Sequence, residues 1–135
     1  MNRGECLLLE LVRGFLEVAV HQVLYHRRVY AHRAFHRDRH YGVHTRLCTD
    51  VQVKAYIVDA MHSFNALMAK APQLVHKLVI CITSPAPAPA APVTLEQFVF
   101  QFKNIPSFHP LNKLTISDEE AEELCGQFAQ TLVKL

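Results

Sequence analysis

Glycine is scarce in this chain: four residues in 135, none of them in a phosphate-cradling pattern. That removes P-loop and dinucleotide-binding fingerprints, which need several glycines at fixed spacing. Ser, Cys and His are all present, but no strand-turn-helix elbow carries a nucleophile. The carboxylates Glu17 and Asp59 stand singly, so paired acid-base chemistry has no partner group. The four cysteines, Cys6, Cys48, Cys81 and Cys125, are far apart and form no CxxC pair. They read as buried free thiols of an intracellular protein rather than as a disulfide framework or zinc site. The apolar run from Cys6 to Tyr25 is interrupted by Glu10, Arg13 and Glu17, which excludes a membrane span. The N-terminus lacks a small-residue cleavage site and does not read as a signal peptide. There is no internal repeat. An enzyme is not expected, and no cofactor is implied.

What remains is a chain of one-domain length, 50% apolar and 19% charged, enough to bury a core. The net charge of +2 decides nothing, but its distribution is uneven. From His26 to Arg46 there are six Arg, five His and one Asp, whereas Asp118 to Glu123 holds five acids.

The chain is organised around residues 5–26. Glu10, Arg13, Glu17 and His21 recur every three or four positions and form one narrow polar stripe on an otherwise apolar helix. Such a helix is buried on most of its surface, and His21 reads as a satisfied interior or interface histidine rather than a catalytic one. A second helix starts at Thr49 or Asp50 and runs to about Lys70, closed by Pro72. Its apolar stripe is Val53, Tyr56, Ile57, Ala60, Met61, Phe64, Leu67 and Met68. Lys77–Thr83 is a short β-rich run, and Leu95–Phe102 alternates Phe98, Phe100 and Phe102 with other residues. Ser84–Pro92, with four prolines in nine residues, joins them as a polyproline-type connector, giving an antiparallel hairpin. Asn104–Leu114 is irregular. Ser117 and Glu120 form a capping box for a third helix with the stripe Ala121, Leu124, Cys125, Phe128, Leu132 and Leu135.

The segment between the first two helices reads as a long loop with one short strand near Tyr41–Leu47. His32, His36, His40 and His44 recur every four residues, which on a helix could chelate a metal. Six arginines would repel a dication, so no metal site is expected. Two readings stay open: a solvated loop, or a patch of Arg27, Arg28, Arg33, Arg37, Arg39 and Arg46 that meets nucleic acid or an acidic partner.

The order helix, basic segment, helix, strand, loop, strand, helix is similar to the first part of a HORMA domain. Phe15-Leu16-Glu17-Val18-Ala19-Val20-His21, followed by Leu24-Tyr25 and Val29-Tyr30, resembles the first helix of that family. The nearest branch is the one that serves DNA polymerase zeta as its non-catalytic subunit. Tyr56-Ile57 with Asp59 and His62, Lys77-Leu78-Val79-Ile80, Phe98-Val99-Phe100 and Leu132-Val133-Lys134-Leu135 extend the likeness over nearly the whole chain. The resemblance implies an α+β fold with three helices on one face of a small antiparallel sheet. It also implies a truncated single domain spanning 1–135, the C-terminal strands and belt of the family being missing. Function would be that of a nuclear adaptor with no enzymatic activity. Its partner would be a peptide motif of a polymerase catalytic subunit or of another DNA-repair protein; a spindle-checkpoint or meiotic role is the alternative. Tyr56 matches a family position that contacts the bound peptide, and Ser63 stands near the same groove. Ala31 replaces a proline that usually follows the Val-Tyr pair. Ala129 replaces an arginine used in HORMA–HORMA association, which argues against dimerisation by that route.

Overall fold

The computed structural model describes residues 5–71, 75–85, 89–101 and 115–135. Its elements, in chain order, are β1 (Glu5–Leu7), α1 (Leu8–His26), β2 (Phe35–His40), β3 (Val43–Cys48), α2 (Val51–Lys70), β4 (Lys77–Ser84), β5 (Val93–Gln101), β6 (Thr115–Ser117) and α3 (Asp118–Lys134). A 3-10 turn at His32–Ala34 precedes β2. The class is α+β, as the sequence indicates. The described strands form three two-stranded antiparallel ladders, β1–β6, β2–β3 and β4–β5.

The core forms where the three helices meet. From α1 it takes Leu9, Phe15, Leu16, Val18 and Ala19, from α2 Ile57, Met61, Phe64 and Met68, and from α3 Phe128 and Leu132. Phe15 is its aromatic centre, stacked on Phe128 with ring centroids 4.2 Å apart and edge-on to Phe100 at 6.0 Å. The α2 stripe is buried on one flank only. Ile57, Met61, Phe64 and Met68 face the core, while Tyr56, Ala60 and Leu67 point outward.

Caps fix the helix starts. Asp50 accepts hydrogen bonds from the backbone N–H groups of Gln52 and Val53, at 2.9 and 3.1 Å. Asp50 is therefore the N-cap, and its carboxylate also sits favourably at the positive end of the helix dipole. The Ser117–Glu120 capping box is present. The first helix starts at Leu8 rather than at residue 5, because Glu5–Leu7 pairs with Thr115–Ser117. That distant pairing carries no local signal. The hairpin Lys77–Ser84 with Val93–Gln101 forms as the alternation indicates, with Ile80 opposite Phe98 and Leu78 opposite Phe100. Pro72, Phe102 and the irregular stretch Asn104–Leu114 lie outside the described residues.

The largest departure from the sequence reading is the basic segment. It is a tight hairpin rather than a loop, with Phe35 opposite Cys48 and His40 opposite Val43. Two-residue hairpins prefer left-handed backbone at both turn positions, usually Asn-Gly. Here Tyr41 has φ 56 and Gly42 φ 74. A tyrosine is strained there. Its ring packs beside Phe15 and Phe128, centroids 6.3 and 5.4 Å away, which offsets the strain and pins the turn to the core. Burial, then Cys125 and Glu17, push the Tyr41 hydroxyl up to about 12.

The cysteines divide. Cys48 is buried, Cys125 half-buried, and Cys81 exposed, which corrects its reading as an interior thiol.

Candidate functional site

Two strand edges face helix α1, and they are treated differently. The edge of β3 that faces α1 is closed by side chains. Gln22 donates from Nε2 to the carbonyl of Arg46 at 2.8 Å, and the Arg46 N–H donates back to Gln22 Oε1 at 3.0 Å. The Cys48 N–H donates to His21 Nδ1 at 3.0 Å. The reciprocal amide pair is what a neighbouring strand would supply, so two buried side chains of a helix complete this edge. His21 can accept only while neutral. Burial first, then the charges of Lys54, His36 and His40, lower its pKa to about 4. It is the satisfied interior histidine that the polar stripe indicates.

The edge of β4 is open. A cavity of about 390 Å³ lies along it. Its walls are Val20 and Leu24 of α1, Val29 and Tyr30 after it, and Val53, Tyr56, Ile57, Ala60 and Met61 of α2. Every residue of β4 from Leu78 to Thr83 touches it. Consecutive strand residues point to opposite faces, so a cavity touched by all six runs along the strand edge. The opposite edge is taken by β5, and no strand pairs with this one among the described residues. A groove of this size, apolar and flanked by free backbone groups, matches the chemistry of an extended peptide adding to a sheet.

The turn after α1 shapes one end of the groove. Arg28 N–H bonds to the Tyr25 carbonyl and Val29 N–H to the Leu24 carbonyl, at 3.2 and 3.0 Å. This is a Schellman ending, and its left-handed position, where glycine is preferred, is Arg28 at φ 54. The adjoining Arg27 is anchored to Glu96 of β5 at 2.8 Å and lies over the Phe98 ring at 5.0 Å. It ties the β4–β5 hairpin to the end of α1.

Of the two residues that resemblance assigns to peptide contact, Tyr56 lines the groove and is 74% exposed. Ser63 is exposed on α2, two turns along, and is not among the groove-lining residues. Of the six arginines, Arg28, Arg33, Arg37 and Arg39 are exposed and Arg46 is half-buried over the Tyr25 ring at 5.3 Å. The four spaced histidines are split between the 3-10 turn, β2 and β3. Among the described residues no group of three or more metal-ligating side chains converges, and no helix is long and apolar enough to cross a membrane. The residues missed from sequence are Gln22, read as part of the apolar run, and the open edge itself, which no residue type marks.

Fold and site together define an α+β scaffold in which helix α1 closes one strand edge and another, unpaired among the described residues, lies beside an apolar groove. The HORMA domain family matches residues 9–125, and the chain belongs to that family. It is 31% identical over 106 residues to the mitotic spindle assembly checkpoint protein MAD2B of Rattus norvegicus, of Gallus gallus and of Homo sapiens. Those alignments cover 78% of this chain and 46% of each relative, so the chain spans about half the length of the curated relatives it matches. A chain in a crystal structure of the mitotic checkpoint complex superposes with a TM-score of 0.63 at 27% identity, covering 94% of this chain and 66% of that one.

Proposed function

We propose that this chain is a non-enzymatic HORMA adaptor that takes a short partner peptide as an added strand along β4, with apolar side chains seated beneath Tyr56. The observation that carries this reading is the β4 edge, unpaired among the described residues and lined over six consecutive residues by one apolar cavity. Main-chain pairing supplies affinity in such an arrangement, and the pockets for alternate side chains supply selectivity. In the same reading the adaptor works in the nucleus, and the partner is a segment of a translesion polymerase catalytic subunit or another DNA-repair protein. Support for that finer choice is the run Phe15–His21, which resembles the polymerase-zeta branch. The checkpoint names of the relatives favour a second reading, in which the same groove takes a spindle-checkpoint partner.

Peptides tiled across the polymerase zeta catalytic subunit and across spindle-checkpoint proteins distinguish the two. Micromolar binding of a polymerase peptide, weakened at least tenfold by Tyr56→Ala, is the expected result. Binding confined to checkpoint peptides selects the second reading. Binding that ignores Tyr56, or no binding in either set, refutes the groove as the site.

A further inference from the structure

The register of β2–β3 sorts its charges. Arg37, Arg39, His44 and Arg46 share one side of the ribbon, with Arg37 directly opposite Arg46 and Arg39 opposite His44. Like charges facing each other across a ladder, as Arg37 and Arg46 do, repel. Among the described residues no carboxylate pairs with them. The one acid of the segment, Asp38, lies on the other side, where it accepts from its neighbour's backbone N–H and sits 3.8 and 4.0 Å from His36 and His40. Among the described residues, none of Arg28, Arg33, Arg37, Arg39 and Arg46 makes an ion pair. Neighbouring cations along one strand stand about 6.6 Å apart. Arg28 adds a second signal. It occupies a left-handed position that glycine would fill without strain, yet its side chain is exposed and joins no ion pair among the described residues. A strained residue that presents an unpaired charge to solvent is a reason to look for a ligand.

We propose that the outer side of the β2–β3 hairpin, extended by Arg33 and Arg28, binds the phosphate backbone of duplex nucleic acid. The hairpin is rigid enough to present a fixed row of charge, because its inner edge is bonded to His21 and Gln22 and its tip is pinned by Tyr41. Readout of bases is not part of the proposal. The ring under Arg46, Tyr25, is already stacked on His32 at 4.4 Å, and stackable aromatics are what sequence-tolerant single-strand binding needs. The contact is therefore electrostatic and sequence-independent. Arg37, Arg39 and Arg46 are not among the residues lining the β4 groove, so a protein could hold a partner peptide and nucleic acid together.

The test is fluorescence anisotropy with a 20-base-pair DNA duplex, the matching single strand and a polyglutamate peptide, each from 50 to 200 mM salt. The expected result is binding of the duplex whose log affinity falls with log salt at a slope of about −3 to −4, as about four phosphate contacts require. The double variant Arg37→Gln, Arg39→Gln should weaken duplex binding about tenfold or more and reduce the slope by about 2. Both positions are exposed, and circular dichroism checks that the variant is folded. Tyr56→Ala should leave duplex affinity unchanged. Four outcomes overturn the proposal: no duplex binding at 50 mM salt; binding unchanged in the folded double variant; polyglutamate or single strand bound as tightly as duplex; or salt-sensitive self-association of the chain, which would assign the basic side to the acidic start of α3 in a second copy.

Discussion

The two long hairpins make a natural experiment within one chain. Both are antiparallel and two-stranded, and both lie against α1. A lone hairpin is marginal in water, so each depends on what it leans on. β2–β3 presents β3's edge to the helix, where Gln22 and His21 satisfy its backbone, and turns charge outward. β4–β5 leans on the helices through one side, with Leu78 and Phe100 against the core, and leaves β4's edge facing an apolar groove. The lesson is that burial and completion are separate. Of the two edges that face α1, the one on the more polar hairpin is the more complete. Among the described residues, the edge that β3 turns to α1 is bonded, whereas the edge that β4 turns to the groove has no strand partner, and an open strand edge persists in a folded protein only where it is protected or used.

The sharpest way to break this contrast is to open the closed edge. Gln22→Leu keeps the volume but leaves the N–H and C=O of Arg46 without partners. Leaving such groups unsatisfied costs about 1–3 kcal/mol each, so a loss of about 2–4 kcal/mol is expected by urea unfolding. A loss below about 0.5 kcal/mol would mean that the glutamine does not complete the edge.

Acid should act on the same edge. His21 titrates near 4 when folded and near 6.5 when unfolded, so the unfolded chain takes up its proton first. The contribution is whole above pH 6.5 and is lost as pH falls toward 4. The full span amounts to about 3 kcal/mol. Urea midpoints from pH 7 to pH 4.5 should fall accordingly, and His21→Asn, which keeps an acceptor but cannot titrate, should fall less. Parallel slopes for the two proteins would remove His21 from the account.

A smaller effect concerns the turn that borders the open groove. Arg28→Gly relieves the left-handed strain and should raise stability by about 0.5–1 kcal/mol, less than the strain itself because glycine gains freedom when unfolded. A destabilised variant would show that the arginine side chain contributes packing or charge to the fold.

Legibility in the sequence followed the range of the cause. Asp50, Ser117 and Glu120 act within one helical turn, and the boundaries they set could be read directly. The β4–β5 pairing follows from alternation at Phe98 and Phe100. By contrast, Phe35–His40 has a single apolar residue, so period-two patterning is invisible, and its turn is Tyr-Gly rather than Asn-Gly. What holds that hairpin is distant: Gln22, His21, Phe15 and Phe128. The β1–β6 ladder has the same origin. In α2, periodicity alone admitted Tyr56, Ala60 and Leu67 to the core, because spacing defines a stripe but not how wide a neighbour covers it. The place of Tyr56 in a groove came from resemblance to a family, since nothing in its local sequence separates a buried tyrosine from an exposed one.

Residue-resolved amide hydrogen exchange tests the central claim most directly. In the dilute, peptide-free chain the Arg46 and Cys48 amides should exchange slowly, held by α1, while alternate amides of β4, those facing the groove, exchange fast. Adding a peptide that binds should slow those β4 amides and leave Arg46 and Cys48 as they were. Slow exchange at every β4 amide without peptide, or fast exchange at Arg46 and Cys48, would contradict the division into one closed and one open edge.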